Sequence, residues 1–212
     1  MLNLGSIAIF LGGWFVKVIM YSTILVPITR FTTKLAKFRH VQSGKLFFNE
    51  FLVLSSEAYL ELLISAVFNY QMPLSSTLGE VISTYLGYVT FFITLVIVPG
   101  ATVAILLQDK EYIVSEEFKF HYGVLTEGIS HNSKIQLAYF GFFILRRFIF
   151  VCIVFQWLKY PTFQLQGVIF LNVFMVMYQA GVKPLEGRFN NRMETYNECL
   201  IYLISLHMML YT

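Results

Sequence analysis

Residues 89–98 read VTFFITLVIV, ten positions without a single charged side chain. Apolar and polar residues do not alternate along this run, as they would in a strand of a membrane β-barrel. It belongs to a longer apolar stretch at 81–107. About 20 helical residues cross a hydrocarbon core of roughly 30 Å, and a helix satisfies its own backbone hydrogen bonds in lipid. The stretch therefore predicts a transmembrane helix.

Six apolar stretches of this kind run through the 212 residues. They lie at 4–28, 47–69, 81–107, 137–158, 164–182 and 195–212. The chain is 57% hydrophobic and 13% charged, whereas a soluble domain is about 25% charged. These features predict an all-α, polytopic membrane protein with about six transmembrane helices in a single domain over 1–212. Because Thr212 ends inside the sixth stretch, we expect a longer native chain.

The Lys and Arg residues concentrate in every second connection between these stretches. The connections 29–46, 108–136 and 183–194 hold eleven cations, and the other two hold only Lys159. By the positive-inside rule, the three basic connections face the cytoplasm or matrix and both termini face the opposite side. The net charge of +3 suits anionic lipid. We therefore expect the lipid bilayer, and no nucleic acid, as a partner.

Two of the basic connections also contain apolar residues, a mixture typical of helices that lie on a membrane surface. The segment 31–47 places Phe31, Leu35 and Phe38 among its bases, and the connection 108–136 carries Phe118 and Leu125 among glutamates and lysines. We expect a helix on the inner membrane surface in the first, and a short interfacial helix or a packed loop in the second.

Acidic residues inside the second stretch are candidate functional residues, because a charge at bilayer depth costs at least about 3 kcal/mol unless it is paired or hydrated. Glu50, Glu57 and Glu61 fall within about 40° of one another on a helix. They form an acidic stripe. Lys17 in the first stretch is a candidate partner for it.

Arg146 and Arg147 lie inside the fourth stretch. Neighbouring residues point about 100° apart on a helix, so both cannot face one partner. The economical interpretation is that Glu57 or Glu61 pairs with one of these arginines inside the bundle. The alternative is that the acidic stripe lines a path for cations or protons, with the arginines as counter-charges.

Polar residues between and within the last two stretches are explained by packing and anchoring. Asn172 and Gln179 are seven apart, which places them on one helix face and predicts interhelical hydrogen bonds. The inner-surface turn contains Lys183, Pro184, Asn191, Glu194, Asn197 and Glu198. We expect Glu194 and Glu198 to lie near the start of the sixth helix, where its dipole favours negative charge.

No pattern in the chain indicates enzyme chemistry. The sequence contains no CxxC or His-rich metal spacing and no phosphate-binding loop. It also contains no arrangement that resembles a nucleophile with its base. We therefore predict no enzymatic activity, no metal, no cofactor and no small-molecule substrate.

Four short motifs occur in a fixed order along residues 45–212. They are E-x-x-x-E at Glu57 and Glu61, F-x-x-R-R at Phe143, Arg146 and Arg147, Lys183-Pro184, and N-x-x-E-x-x-N-E at Asn191, Glu194, Asn197 and Glu198. Together they resemble the C-terminal membrane region of large ciliate transmembrane surface proteins with the layout of mating-type recognition proteins. The resemblance implies a domain that anchors and assembles a cell-surface recognition or adhesion protein with other membrane subunits. It also implies a plasma or ciliary membrane.

Two other functions remain open at this point. Six stretches and an acidic stripe are also found in subunits of cation channels or transporters, although no re-entrant pore loop lies between the fifth and sixth stretches here. An aromatic content of 17% would also suit an accessory subunit of a complex in the mitochondrial inner membrane.

Overall fold

The computed structural model describes residues 4–29, 49–71, 78–97, 99–100, 103–104 and 107–211. Across these residues the chain is mostly helical and forms no β-strand, which confirms the predicted helical class. The predicted interfacial segment 31–47 lies outside the described residues. The α-helices of the described part are α1 (Leu4–Met20), α2 (Val26–Thr29), α3 (Glu50–Gln71), α4 (Leu78–Phe92), α5 (Lys110–Val114), α6 (Glu116–Tyr122), α7 (Lys134–Leu137), α8 (Tyr139–Gln156), α9 (Pro161–Val182) and α10 (Arg188–Met209).

Three helical segments are long and apolar enough to cross a membrane, counted within the described part of the chain. They are Leu78–Val96, α8 and α9. These segments overlap the third, fourth and fifth apolar stretches of the sequence, although the first of them ends at Val96 and the predicted third stretch runs to 107. The third begins with α4 and continues as a π-helix over Ile93–Ile97. Pro99 explains this change, because it has no N–H to offer the carbonyl of Leu95 four residues earlier.

The chain forms two compact units. The first comprises Met1–Thr90 and Gln108–Glu127, and the second comprises Phe91–Leu107 and Gly128–Thr212. In the first unit, α3 buries Tyr59, Leu63 and Ala66 along one face. This 4–3 spacing is that of a helix packed along a single stripe.

The predicted interfacial connection 108–136 begins with three short helical elements in the first unit: α5, α6 and a 3-10 turn at Gly123–Leu125. Ile113, Phe118 and Leu125 are its buried apolar side chains there. Asn49 joins this segment to α3, since its amide donates to the Phe120 carbonyl at 3.4 Å. The apolar residues of the connection therefore form part of a packed core.

Helices α3 and α4 approach closely at Gly87. A Cβ atom built at Gly87 would lie 2.7 Å from Cβ of Asn69, closer than two carbon atoms can approach. Beside this point, the rings of Tyr70 and Tyr88 meet edge to face at 6.1 Å. The hairpin thus depends on the missing side chain at position 87.

The second unit is built around α8, α9 and α10, with the most extensive packing between α9 and α10. Two connections are joined at one end of these helices. The Ser130 N–H donates to the Pro184 carbonyl at 2.7 Å, and the Glu186 N–H donates to the Gly128 carbonyl at 2.8 Å. Ile129 and Leu185 form an isolated antiparallel bridge between the same segments.

The start of the last helix differs from the prediction. We expected the sixth stretch to begin at residue 195, but α10 begins at Arg188, directly after Gly187 with its φ of 84°. No acidic residue lies in the first turn. The expectation that Glu194 and Glu198 act at a helix start is therefore wrong. The polar residues continue the helix because one face of it packs inside the unit, where Asn191, Glu198 and Ser205 are buried.

Candidate functional site

A buried polar cluster links the three long helices of the second unit. It consists of Arg146 on α8, Asn172 on α9, and Glu198 and Ser205 on α10. The Arg146 guanidinium donates to Oε1 of Glu198 at 2.5 Å and to Oδ1 of Asn172 at 3.0 Å. One side chain on α8 thereby binds both neighbouring helices.

The cluster continues from Asn172 into α10. Nδ2 of Asn172 donates to the Ser205 hydroxyl at 2.8 Å, which confirms the predicted interhelical hydrogen bond for this residue. The Ser205 hydroxyl in turn donates to the Ile201 carbonyl within its own helix. Each member of the cluster is therefore held by at least one hydrogen bond, and Asn172 both accepts and donates.

The ion pair at its centre is shielded from solvent. The Arg146 side chain is 19% exposed and that of Glu198 is 6% exposed. Removing two charges from water costs several kcal/mol per ion, and close contact with additional hydrogen bonds offsets this cost. Removal of one partner would leave an uncompensated charge inside the unit, so the pair couples the positions of α8 and α10.

Three buried side-chain atoms of α9 and α10 have no hydrogen-bond partner among the described residues. These are Oε1 and Nε2 of Gln179 and Oε2 of Glu198. The predicted hydrogen bond of Gln179 is therefore not made, although its side chain is buried as a packing residue would be.

A second polar contact lies one turn nearer the start of α10. The Tyr139 hydroxyl donates to Oε1 of Glu194 at 3.1 Å. The Tyr139 ring stacks on Tyr178 with centroids 6.4 Å apart, and the Tyr178 hydroxyl donates to the Ile135 carbonyl at 2.7 Å. Glu194 therefore has a phenol as its partner, and this contact again joins α8 to α10.

The two adjacent arginines have different surroundings, as the 100° between them requires. Arg146 enters the polar cluster. The Arg147 guanidinium lies over the Phe143 ring, 4.0 Å from its centroid. Phe143 precedes it by one helical turn, so this cation–π contact lies along the side of α8. The motif F-x-x-R-R thus combines an internal ion pair with a local ring contact.

The acidic stripe lies in the first unit. Nζ of Lys17 donates to Oε2 of Glu50 at 2.9 Å, and both side chains are partly exposed. Glu57 and Glu61 are exposed on α3 and make no ion pair within the described residues. Since they and Arg146 belong to different units, their predicted pairing stays a prediction. The partner that the structure assigns to Arg146 is Glu198.

The inner-surface turn is organised by Asn191. Its side chain exchanges two hydrogen bonds with the Leu185 backbone and also donates to the Gly187 carbonyl at 2.9 Å. Lys183 adopts a left-handed conformation with φ of 51° at the end of α9, and Pro184 is buried after it. Asn197 is exposed on α10. Of this predicted group, Asn191 and Glu198 therefore face the interior and Asn197 faces outward.

Sequence reasoning did not identify Glu198 as the partner of an arginine, and it did not include Tyr139 or Ser205 among the site residues. The sequence contains a spacing pattern that points to Glu198 and Ser205. Asn191, Glu198 and Ser205 are seven residues apart, the same interval that separates Asn172 from Gln179. Two polar stripes with the same period predict a polar seam between two helices.

The cluster is suited to binding helices together. Its charges neutralise one another, its hydroxyl is bonded to a carbonyl, and no described residue acts as a base toward that hydroxyl. No group of three His, Cys, Asp or Glu side chains in the described ranges is placed to hold a metal ion.

Comparison of the chain with protein-family models, with curated proteins and with solved structures found no match.

Proposed function

We propose that this chain is a multi-pass membrane domain with about six spans that anchors a cell-surface protein or complex and assembles it with other membrane subunits. The order of its four motifs, which resembles that of large ciliate surface proteins, supports a plasma or ciliary membrane. The structure supports a membrane location because polar side chains on its helices are buried while large apolar side chains are exposed.

Helix α9 gives the main support for membrane insertion, because its polar residues Asn172 and Gln179 face inward while large apolar side chains on its other side face outward. Asn172 and Gln179 are 2% and 1% exposed, whereas Phe170 and Met177 are 74% and 69% exposed. A helix on the surface of a water-soluble protein has the opposite arrangement. In a bilayer, polar side chains turn toward the bundle interior and apolar ones contact lipid.

Helix α10 extends this argument beyond the three most apolar segments. Its buried residues are Asn191, Glu198 and Ser205, while Leu203 and Ile204 are largely exposed. Because Asn191, Glu198 and Ser205 are withdrawn into the unit, α10 would present lipid with more apolar surface than its composition indicates. It has 22 residues, a length of about 33 Å.

Helix α3 supports a further span by its length. It also has 22 residues, and α1 continues through a π-helix and α2 as far as Thr29. The outward apolar surfaces of α9 and α10 would contact lipid or the helices of other subunits. The buried polar cluster would meanwhile keep the three helices of the second unit in register.

The orientation of the chain tests the proposal. Epitope tags placed before residue 1 and after residue 212 should both be labelled on intact cells, and the protein should resist extraction by alkaline carbonate. An even number of spans places both termini on the same side. Labelling of only one tag without permeabilisation indicates an odd number, as would follow from three spans alone, and release by carbonate contradicts membrane integration.

Assembly is tested separately by native electrophoresis after extraction in a mild detergent. We expect the chain to migrate in a complex larger than the monomer. A monomer under conditions that preserve known membrane complexes of the same cells contradicts the assembly role while leaving the anchoring role intact.

One observation favours a cation channel or transporter as the second candidate. Glu57 and Glu61 are exposed on the same face of α3, where they could line an aqueous path in an oligomer. Purified protein in liposomes should then conduct Na⁺ or K⁺, and E57Q with E61Q should abolish the flux. Flux that is absent, or unchanged in this double variant, contradicts the candidate.

A further inference from the structure

The turn between α8 and α9 displays large aromatic and apolar side chains. Leu158 is 60% exposed, Tyr160 59% and Phe163 58%, and Trp157 and Lys159 are also exposed. A loop in water is usually polar, and a contiguous apolar patch marks a binding surface. Both flanking helices are apolar enough to cross a membrane, so this patch lies where such a hairpin would leave the hydrocarbon.

The backbone of this turn is bonded internally. The Trp157 N–H donates to the Ile153 carbonyl at 3.2 Å, and the Tyr160 N–H donates to the Trp157 carbonyl at 2.8 Å. Nε2 of Gln164, on α9, donates to the Val154 carbonyl at 2.6 Å. The last turn of α8 would otherwise present this carbonyl to its surroundings. These bonds satisfy part of the turn's backbone without water, which lowers the cost of placing the turn at the membrane interface.

The orientation of the Trp157 ring is set by α9. A Cβ atom at Gly167 would lie 3.0 Å from Cζ3 of Trp157 and 3.1 Å from Cγ2 of Ile153. The glycine thus permits the indole to lie against the helix, where one part of the ring packs and the rest stays exposed. The Tyr160 and Phe163 rings meet edge to face at 6.2 Å. Packing against α9 therefore orients the Trp157 indole, and the Tyr160 and Phe163 rings contact each other on the surface.

From these observations we infer that the α8–α9 turn lies in the headgroup layer of the bilayer and anchors the hairpin there. Trp and Tyr prefer this layer because each combines an apolar body with a polar edge. The ammonium group of Lys159 can reach lipid phosphates while its methylene chain remains in the apolar zone. The inference rests on the proposed membrane placement and adds the depth and the lipid groups that the turn contacts.

The chain contains two tryptophans, Trp14 and Trp157, so W14F leaves Trp157 as the only indole. The full chain carrying W14F is reconstituted in phosphatidylcholine whose acyl chains are brominated near the headgroup or near the methyl end. We expect the shallow bromines to quench Trp157 at least about twofold more than the deep ones. The W157F variant reports Trp14 alone and identifies quenching that does not come from the turn.

Stronger quenching by the deep bromines overturns the inference, since the turn would then lie inside the hydrocarbon. Quenching by aqueous acrylamide without any by bromolipid also overturns it, since the turn would then project into water. If either result is found in protein that resists carbonate extraction, the proposed membrane function stands and only the anchor is refuted. Protein released by carbonate refutes both.

Discussion

Half-buried Arg146 on α8 forms an ion pair with buried Glu198 on α10, although the two residues lie 52 positions apart along the chain. Asn172 on α9 accepts a second hydrogen bond from the same guanidinium. The three helices of the second unit therefore meet at one arginine. Substituting either member of this ion pair tests whether it holds the three helices together.

The R146L variant should lose about 3 to 5 kcal/mol of unfolding free energy, because Glu198 would remain buried without its counter-charge. Adding E198L should restore part of this loss. Denaturant unfolding in mixed micelles measures both. The control R192L removes an exposed arginine from α10 and should change stability by no more than about 0.5 kcal/mol.

A third combination tests the pairing that the sequence predicted. If Glu57 were the partner of Arg146, E57L would rescue R146L, and the cycle would show a coupling of about 1 to 3 kcal/mol. We expect additive effects for this pair and coupling for Arg146 with Glu198. Rescue by E57L without rescue by E198L contradicts the assignment made from the structure.

Substitution of Gln179 by Met should be tolerated. Its amide atoms are buried without a partner among the described residues, so an apolar side chain of similar volume removes a desolvation cost and no hydrogen bond. We expect stability to stay within about 1 kcal/mol or to rise.

The matched variant for Gln179 is N172L on the same face of α9. It leaves Arg146 and Ser205 with one hydrogen bond fewer each, so it should cost at least about 2 kcal/mol. Equal losses of unfolding free energy in Q179M and N172L, measured in the same assay, would contradict the hydrogen bonds assigned to Asn172.

Alanine at Gly87 should destabilise the α3–α4 hairpin. The added methyl group would meet Cβ of Asn69 at 2.7 Å, and overpacking of this kind costs about 1 to 3 kcal/mol. Gly79 in the same helix has no atom within 4 Å of the corresponding position, so G79A should be neutral or gain up to about 1 kcal/mol. The thermal midpoint of unfolding should fall in G87A and should stay the same or rise in G79A. Equal midpoints in the two variants would rule out the close approach of α3 and α4.

Asn191 should be needed for the turn that joins α9 to α10. Alanine there removes three hydrogen bonds to the backbone of Leu185 and Gly187 and should cost about 1 to 3 kcal/mol. Exposed Asn197 lies on the same helix, and N197A should have an effect below about 0.5 kcal/mol. Limited proteolysis near residue 185 measures the difference. Equal cleavage rates in both variants argue against the bonded turn.

Much of the helical architecture could be read directly from the chain. The third, fourth and fifth apolar stretches coincide with helices, because uninterrupted apolar runs of this length leave few alternatives to helical hydrogen bonding. The start of α10 was missed, since its first turns read as a polar loop. Only the packing of its polar face reveals why Arg188 already belongs to the helix.

The site was recognised in part. Arg146 stood out because a guanidinium in an apolar stretch requires a partner, and Asn172 stood out by its seven-residue spacing from Gln179. Glu198 was interpreted as an anchoring residue because its neighbours in sequence are polar. Glu198 lies seven residues from both Asn191 and Ser205. This spacing is the sequence pattern that indicates the buried face of α10.

The sequence alone predicts a helical chain with about six apolar stretches and a few charged residues that need partners, and the described part of the structure contains three helical segments apolar enough to span a membrane. Those properties follow from composition and from the period of the helix, which are local. Only the packing of the helices shows that Glu198 is the carboxylate that meets Arg146 and that Tyr139 meets Glu194. Partner choice depends on which helix faces come together, and the energy of an ion pair or hydrogen bond falls away within a few ångströms.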